Sequence, residues 1–173
     1  MKTIYLAGGC FWGTQHFFDQ FEGIARTEVG FANGRTERPS YRQVCREGTG
    51  HAETVRIDYD ETVLPTRELL FWYFLTIDPL SVDRQGGDAG HQYRTGIYYD
   101  DASLLPDISA CIAEETAKAG APLAVEVLPL QGFWPAEEEH QKYLEKNPGG
   151  YCHIPDHLMH IRESQTKEKE SQP

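Results

Sequence analysis

Apolar and polar positions along this chain follow two periods, and the changes between them divide it into strands and helices. Thr3-Ile4-Tyr5-Leu6-Ala7 reads as a short strand. Gly8-Gly9 interrupts it, and Phe11, Phe17, Phe18 and Phe21 then recur at helical spacing, which predicts a strand-glycine-helix junction around Cys10. Thr27-Glu28-Val29-Gly30-Phe31 is the next strand, followed by a turn over Ala32-Asn33-Gly34-Arg35. Thr54-Val55-Arg56-Ile57-Asp58-Tyr59 alternates as a half-buried strand does. Thr66 is placed to cap a helix over 67–77, which Asp78-Pro79 stops.

Tyr93-Arg94-Thr95-Gly96-Ile97-Tyr98-Tyr99 predicts a further strand. Leu104, Ile108, Cys111, Ile112 and Glu115 mark one face of a helix over 104–118 that ends at Gly120, so Cys111 reads as a packed structural residue. A strand over 123–128 and a last helix over 136–146, closed by Asn147-Pro148-Gly149-Gly150, complete the pattern. Strands and helices interleave without the regular spacing of a doubly wound parallel sheet, so a mixed sheet with helices packed on it is expected. Residues 164–173 hold only Lys, Glu, Ser, Gln, Thr and Pro and read as a disordered tail behind a single domain over 1–163.

With 173 residues, 39% of them hydrophobic and 25% charged, the chain can bury one substantial core. Its formal charge of −11 argues against a nucleic-acid backbone or an anionic membrane as main partner. No apolar run reaches membrane-spanning length, and the N-terminus lacks the layout of a signal peptide. The first strand begins almost at Met1, so a cytoplasmic protein is expected. Four cysteines, at 10, 45, 111 and 152, include no Cys-x-x-Cys pair. A structural disulfide framework is therefore not expected, which leaves inert thiols or one or two that do redox or nucleophilic work.

Four segments have the composition of chemical sites. Cys10, near the first turn of a helix, meets unpaired amides and a positive dipole end that favour the nucleophilic thiolate, and Phe11-Trp12 beside it offers an apolar wall. Tyr41-Arg42-Gln43-Val44-Cys45 leads into Gly48-Thr49-Gly50-His51-Ala52-Glu53, where Glu53 is a general acid if burial raises its pKa. The loop Gln85 to Arg94 has three glycines with Asp88, His91, Gln92 and Tyr93, a flexible polar segment suited to binding groups; it lacks a dinucleotide fingerprint. In the fourth, Gly149-Gly150 precedes Cys152, a thiol free to swing toward another, although Cys152, His153, His157 and His160 are also spaced as metal ligands. His16, His51, His91 and His140 read as supporting or surface groups. Two other classes stay open on these residues: a cysteine hydrolase pairing Cys10 with His140, or with His51 and Glu53, and a metal-binding module on the C-terminal cluster.

Taken in order, five blocks resemble the peptide methionine sulfoxide reductase A family. They are Gly9-Cys10-Phe11-Trp12-Gly13; Tyr41-x-x-Val44-Cys45 with Thr49-Gly50-His51-Ala52-Glu53; Gly87-Asp88 with Gln92-Tyr93-Arg94; Phe133-Trp134-Pro135-Ala136-Glu137 with His140-Gln141 and Tyr143-Leu144; and Asn147-Pro148 with Gly150-Tyr151-Cys152. The resemblance implies an α+β fold, a two-layer mixed sheet with packed helices in a ferredoxin-like plait, followed by a long irregular C-terminal segment. It implies reduction of methionine-S-sulfoxide, free or in proteins. The nucleophile falls on Cys10, the acid on Glu53, the oxygen-binding tyrosines on Tyr41 and Tyr93, the methyl pocket on Phe11 and Trp12, the polar substrate contact on Asp88 and the resolving thiol on Cys152. A Cys10–Cys152 disulfide recycled by thioredoxin, no bound cofactor or metal, and a monomer are implied as well. Cys45 lies outside the usual redox pair and reads as structural. Gln15 stands where many members carry Glu; the missing charge favours the Cys10 thiolate, so Gln15→Glu is expected to raise that thiol's pKa.

Overall fold

The computed structural model describes residues 1–161, so the tail expected over 164–173 lies outside the described residues. Strand β1 (Lys2–Gly8) leads through Gly9 and Cys10 into helix α1 (Phe11–Phe18). Strands β2 (Ile24–Ala32) and β3 (Ala52–Tyr59) follow, joined by a long connection that contains α2 (Tyr41–Arg46). Next come α3 (Thr66–Leu75), a small hairpin of β4 (Arg84–Gln85) and β5 (Asp88–Ala89), and β6 (Thr95–Tyr99). Helix α4 (Leu105–Ala119), β7 (Glu126–Pro129), β8 (Phe133–Pro135) and α5 (Tyr143–Lys146) complete the order.

Six strands form one mixed sheet in the order β7-β6-β1-β3-β2-β8, with β4 and β5 apart. The pairs β1–β3, β1–β6, β2–β3 and β2–β8 are antiparallel, and β6–β7 is parallel. Side chains alternate across it as the pleat requires. Ile4, Leu6, Val29, Phe31, Val55, Ile57 and Ile97 join Phe17, Phe18, Leu69, Leu70 and Ile108 of the helices in the main core. Tyr5, Ala7, Ala32, Ala52 and Tyr98 form a smaller cluster, with Leu130 and Phe133 packed against it. Each fully buried Phe or Leu contributes about 1.5–3 kcal/mol, so the phenylalanines of α1 are a major reason this short helix holds its place. The buried Tyr73 hydroxyl of α3 donates to the carbonyls of Ala7, at 2.6 Å, and Gly96, at 3.3 Å, fixing the end of β1 just before the Cys10 turn.

Several boundaries depart from the sequence reading. Strand β3 starts at Ala52, and Glu53 lies inside it opposite Phe31 of β2, rather than just before the strand. Thr66 does not cap α3: Pro65 occupies the N-cap, and the Thr66 hydroxyl instead bonds Tyr59 at 2.6 Å and Glu61 at 2.8 Å. Tyr93 sits in a 3-10 turn, His91–Tyr93, ahead of β6. The helix expected over 136–146 is a 3-10 turn, Glu138–His140, and the four-residue α5. The reason is local. Gln141 is extended and its amide pairs with the Val29 N–H at 3.0 Å and C=O at 2.8 Å, while Lys142 adopts a left-handed φ of 55°. That side-chain pairing with β2 breaks the helix in two. Helix α2 was not foreseen; its Ser40–Gln43 capping box is the signal.

Gln15 explains how α1 is tied in. It is buried; its amide nitrogen donates to the Thr27 carbonyl at 3.4 Å and hydroxyl at 3.2 Å, and its oxygen accepts the Lys142 N–H at 2.8 Å. Glutamate at this position is therefore more than a charge change, because it removes the donor and sets a carboxylate against the Thr27 carbonyl. Gln15→Glu is expected to lower the free energy of unfolding by about 1–3 kcal/mol, measured by urea denaturation; an unchanged midpoint would show that the link to Thr27 carries no stability.

Candidate active site

Cys10 is the N-cap of α1 and is 6% exposed. Gly9 before it has φ 84°, and a Cβ there would lie 2.7 Å from Cβ of the buried Gln85, so only glycine fits this approach. The first free amides of α1 are then shared between two groups. The Trp12 N–H donates to the Cys10 sulfur, and the Phe11 N–H donates to Glu53 Oε1 at 3.2 Å. The helix end does hydrogen-bond the sulfur, but it does not win the protonation balance: burial above all, then the Glu53 carboxyl, push the Cys10 thiol well above the usual range. The expectation of a resting thiolate is corrected to a buried thiol.

Glu53 is 1% exposed, and its Oε2 has no partner among the described residues. Burial raises its pKa to about 8, with Asp88 adding to the rise and the Phe11 N–H opposing it. At neutral pH it therefore holds a proton, and Oε2 has no acceptor for it among the described residues. A carboxyl in this state can donate to a substrate oxygen. Because a protonated Glu53 carries no charge, its push on Cys10 also fades while it keeps its proton.

The other residues singled out in the sequence converge here. The Glu53 carboxyl acts on the Tyr41 and Tyr93 hydroxyls and on the Cys45 thiol, and for all three burial is the larger cause of a raised pKa. Asp88 sits on the β4–β5 hairpin with Oδ2 buried and unpartnered, and burial raises its pKa. Cys45 is thus next to the Tyr41 hydroxyl and within the field of Glu53. Phe11, Phe31, Tyr41 and His140 pack as an aromatic group, and Trp12 stacks on Tyr143 with 3.7 Å between ring centroids. Tyr143 and Tyr151 carry no role in the sequence blocks, and His140 reads there as a supporting group or a hydrolase base, since nothing local in the sequence says that these rings meet Trp12 or the hairpin.

Cys152 is half-buried on the irregular segment after α5. A Cβ on Gly13 would lie 2.8 Å from its sulfur, so the segment crosses directly over the first turn of α1. Tyr151 accepts the Gly87 N–H at 3.1 Å on one side, and Ile154 is buried on the other. All four cysteines are free, and Cys152 is near enough to Cys10 to add to the upward push on its thiol. A cavity of about 570 Å³ opens beside Cys152, bounded by Leu144, Pro148, Ile154 and Met159.

The two alternative chemistries do not assemble. Among the described residues, neither His51 nor His140 is a group acting on Cys10; His51 is buried with Nδ1 on the Thr49 hydroxyl at 2.8 Å, and His140 Nδ1 accepts the Trp12 indole N–H at 3.2 Å. Among the described residues, the histidines and carboxylates whose ligand atoms converge are Glu137, Glu139 and His140, not the C-terminal set.

Comparison with known proteins gives one answer. The chain matches the family described as peptide methionine sulfoxide reductase over residues 2–172. A peptide methionine sulfoxide reductase MsrA of Lachnoclostridium phytofermentans is 54% identical over 153 residues, 88% of this chain and 92% of the relative. The fold is similar to the crystal structure of Mxr1 from Saccharomyces cerevisiae in reduced form, at a TM-score of 0.82 and 38% identity, covering 87% of this chain and 88% of that one. A structure of Mxr1 in complex with Trx2 is also similar, at 0.58 and 26% identity, over 82% and 84% of the two chains.

The raised Glu53 pKa has a consequence for stability. From its ordinary value of 4.5 up to about 8 the folded protein keeps a proton that the unfolded chain releases. Its contribution is thus complete at acid pH and is lost as pH rises through that window. Glu53→Gln removes this dependence, so the variant is expected to gain on the parent steadily from pH 5 to about pH 8 in paired urea-unfolding curves. A constant difference would mean that Glu53 is not held neutral.

Proposed function

The chain belongs to the peptide methionine sulfoxide reductase family, and we propose that it reduces methionine-S-sulfoxide, free or in proteins, to methionine with thioredoxin as the recycling dithiol. One observation carries the assignment of roles: the Cys10 sulfur and Glu53 Oε1 share the amides of one helix turn, which leaves the other carboxyl oxygen, Oε2, open to bear a proton. A sulfoxide presents an electrophilic sulfur, a basic oxygen and a methyl group, and this site offers a complement to each.

In this reading Phe11 and Trp12 seat the methyl group, Asp88 contacts the polar part of the substrate, and Tyr41, Tyr93 and Glu53 donate to the oxygen. Negative charge grows on that oxygen as the S–O bond weakens, and donors fixed in a dry site stabilise it. Cys10 attacks the sulfoxide sulfur, and its proton and that of Glu53 go to the oxygen, which leaves as water; water then attacks the Cys10 sulfur, breaking the bond between the two sulfurs so that methionine departs, and its proton returns to Glu53. The balance is one thiol and one sulfoxide giving one sulfenic acid and one methionine. The Cys152 thiol then condenses with the sulfenic acid, forming the S–S bond and releasing water. Thioredoxin returns both thiols by exchange and leaves as its own disulfide. Cys152 lies beside a cavity and partly exposed, which suits attack by a second protein, and the similar Mxr1–Trx2 complex supports thioredoxin as that partner.

The finer structural reading belongs with this proposal. The order β6-β1-β3-β2, with α1 and α3 as the crossover helices, is read as a ferredoxin-like plait extended by β7 and β8. Residues 1–163 are read as one domain acting as a monomer in the cytoplasm, without a bound cofactor. Among the described residues no helix is long and apolar enough to cross a membrane, and the charge of −11 disfavours nucleic acid.

The test is a thiol count on reduced protein before and after one equivalent of L-methionine-S-sulfoxide, with no reductant present. Loss of two thiols per methionine formed, mapped to Cys10 and Cys152, is expected; unchanged thiols and no methionine would overturn the proposal. Cys152→Ser is expected to form one methionine per chain and then stall with thioredoxin, and sustained turnover by that variant would remove Cys152 from the resolving role.

A further inference from the structure

His140 is a buried imidazole that the reaction above does not use. Its Nδ1 accepts the Trp12 indole N–H at 3.2 Å. Its Nε2 faces two carboxylates, Glu137 at 3.7 Å and Glu139 at 3.8 Å. An acceptor on one side and carboxylates on the other fix one tautomer, with the proton on Nε2. Burial lowers the pKa of His140, which keeps Nδ1 free to accept. The ring also lies nearly parallel to Tyr41, with 4.2 Å between centroids and 27° between planes, and to Trp12, at 5.9 Å and 14°. Glu137 closes the loop, since its Oε1 accepts the Tyr41 N–H at 2.9 Å.

We infer that His140 is a positioning residue that sets the width of the methyl pocket, by holding the Trp12 indole through Nδ1 and the Tyr41 ring through stacking. The inference rests on the proposed roles of Trp12 and Tyr41. Trp12 is only partly buried and one of its faces rests on Tyr143. Stacking alone leaves the indole able to slide in its own plane, whereas a hydrogen bond to a fixed acceptor sets its in-plane position. One side chain therefore ties the surface that receives the methyl to the surface that receives the oxygen, and their separation is what distinguishes a methyl from a larger alkyl sulfoxide.

Two substitutions separate the hydrogen bond from ring packing. His140→Phe keeps an aromatic ring and loses the acceptor; His140→Asn loses the ring but brings an amide oxygen close to the former Nδ1 position. In single-turnover reactions without reductant, His140→Phe is expected to raise the half-saturating concentration of methionine sulfoxide about tenfold, with little change in the maximal rate. Its preference for the methyl over the ethyl sulfoxide (ethionine sulfoxide) should shrink by a similar factor. His140→Asn should recover most of that preference. The Trp12 indole N–H, assigned by its loss in Trp12→Phe, should exchange with solvent faster in His140→Phe alone. Unchanged methyl-over-ethyl preference in His140→Phe, or unchanged indole exchange, would overturn the inference, as would His140→Asn behaving like His140→Phe. If the parent protein forms no methionine, the proposed function fails by itself, and the exchange measurement still decides whether His140 holds Trp12.

Discussion

The hydrogen bond from the Phe11 N–H to Glu53 Oε1 is the contact around which the site is arranged. It joins the first turn of α1 to the interior of β3, and it uses one of the helix amides that would otherwise lie unpaired in an apolar surround. The bond favours the ionised carboxylate, yet burial outweighs it and Glu53 stays protonated near neutrality. This ordering of effects matters. A fully ionised Glu53 would repel a developing thiolate and could not donate to a departing oxygen. A carboxyl in water would be ionised already. Burial behind Phe11 and the sheet, eased by one amide, gives a proton that is held but can be surrendered. The same burial favours the thiol form of Cys10.

Around this fixed centre the fold separates rigid from movable parts. Cys10, Phe11, Trp12 and Glu53 all stand on β1, α1 or β3, whose ends are held by the Tyr73 hydroxyl, the Gln15 amide and the paired register of β2 and β3. Cys152 belongs to the irregular segment after α5, held to the β4–β5 hairpin through the Tyr151–Gly87 bond and to α1 through packing over Gly13. In the proposed cycle the Cys152 thiol has to meet a sulfenic acid and then a second protein, which an irregular segment suits better than a strand or helix locked in its own hydrogen bonds. The open cavity beside Cys152 gives this segment room.

Much of this was legible from the chain, for reasons that can be named. Period-two alternation gave β1 and β3, and the phenylalanine spacing gave α1, because those patterns record which side of each element is buried. The short β8, the hairpin carrying Asp88, and the break at Gln141-Lys142 were not legible. Their conformations are decided by partners far along the chain: Gln141 leaves the helix because its amide completes the hydrogen bonds of Val29. The candidate site was named mostly from blocks of resemblance, and the geometry then added what no block can carry. Burial of Cys10, a fact of tertiary packing, opposes and outweighs the local helix-end effect on its thiol. Gln15 illustrates the same limit, since a position that differs in charge turned out to be a buried donor with two acceptors.

With Phe11 and Trp12 as the proposed seat of the methyl group, the aromatic wall offers a way to recognise a weakly polar substrate group with precision. A methyl group offers no hydrogen bond, and apolar contact alone discriminates one methylene by only about 1–3 kcal/mol. Discrimination at that level survives only if the wall cannot retreat, and a surface tryptophan on an eight-residue helix would ordinarily have that freedom. Here the indole is held on one face and at its edge: Tyr143 stacks on a face, and the His140 nitrogen accepts at the N–H with its ring close to parallel to the indole plane. Placing the polar tie at the rim, away from where the methyl sits, leaves the contact surface apolar while making its position as definite as that of the groups facing the oxygen. Selectivity for a small apolar group then comes from polar bonds that the group itself never touches.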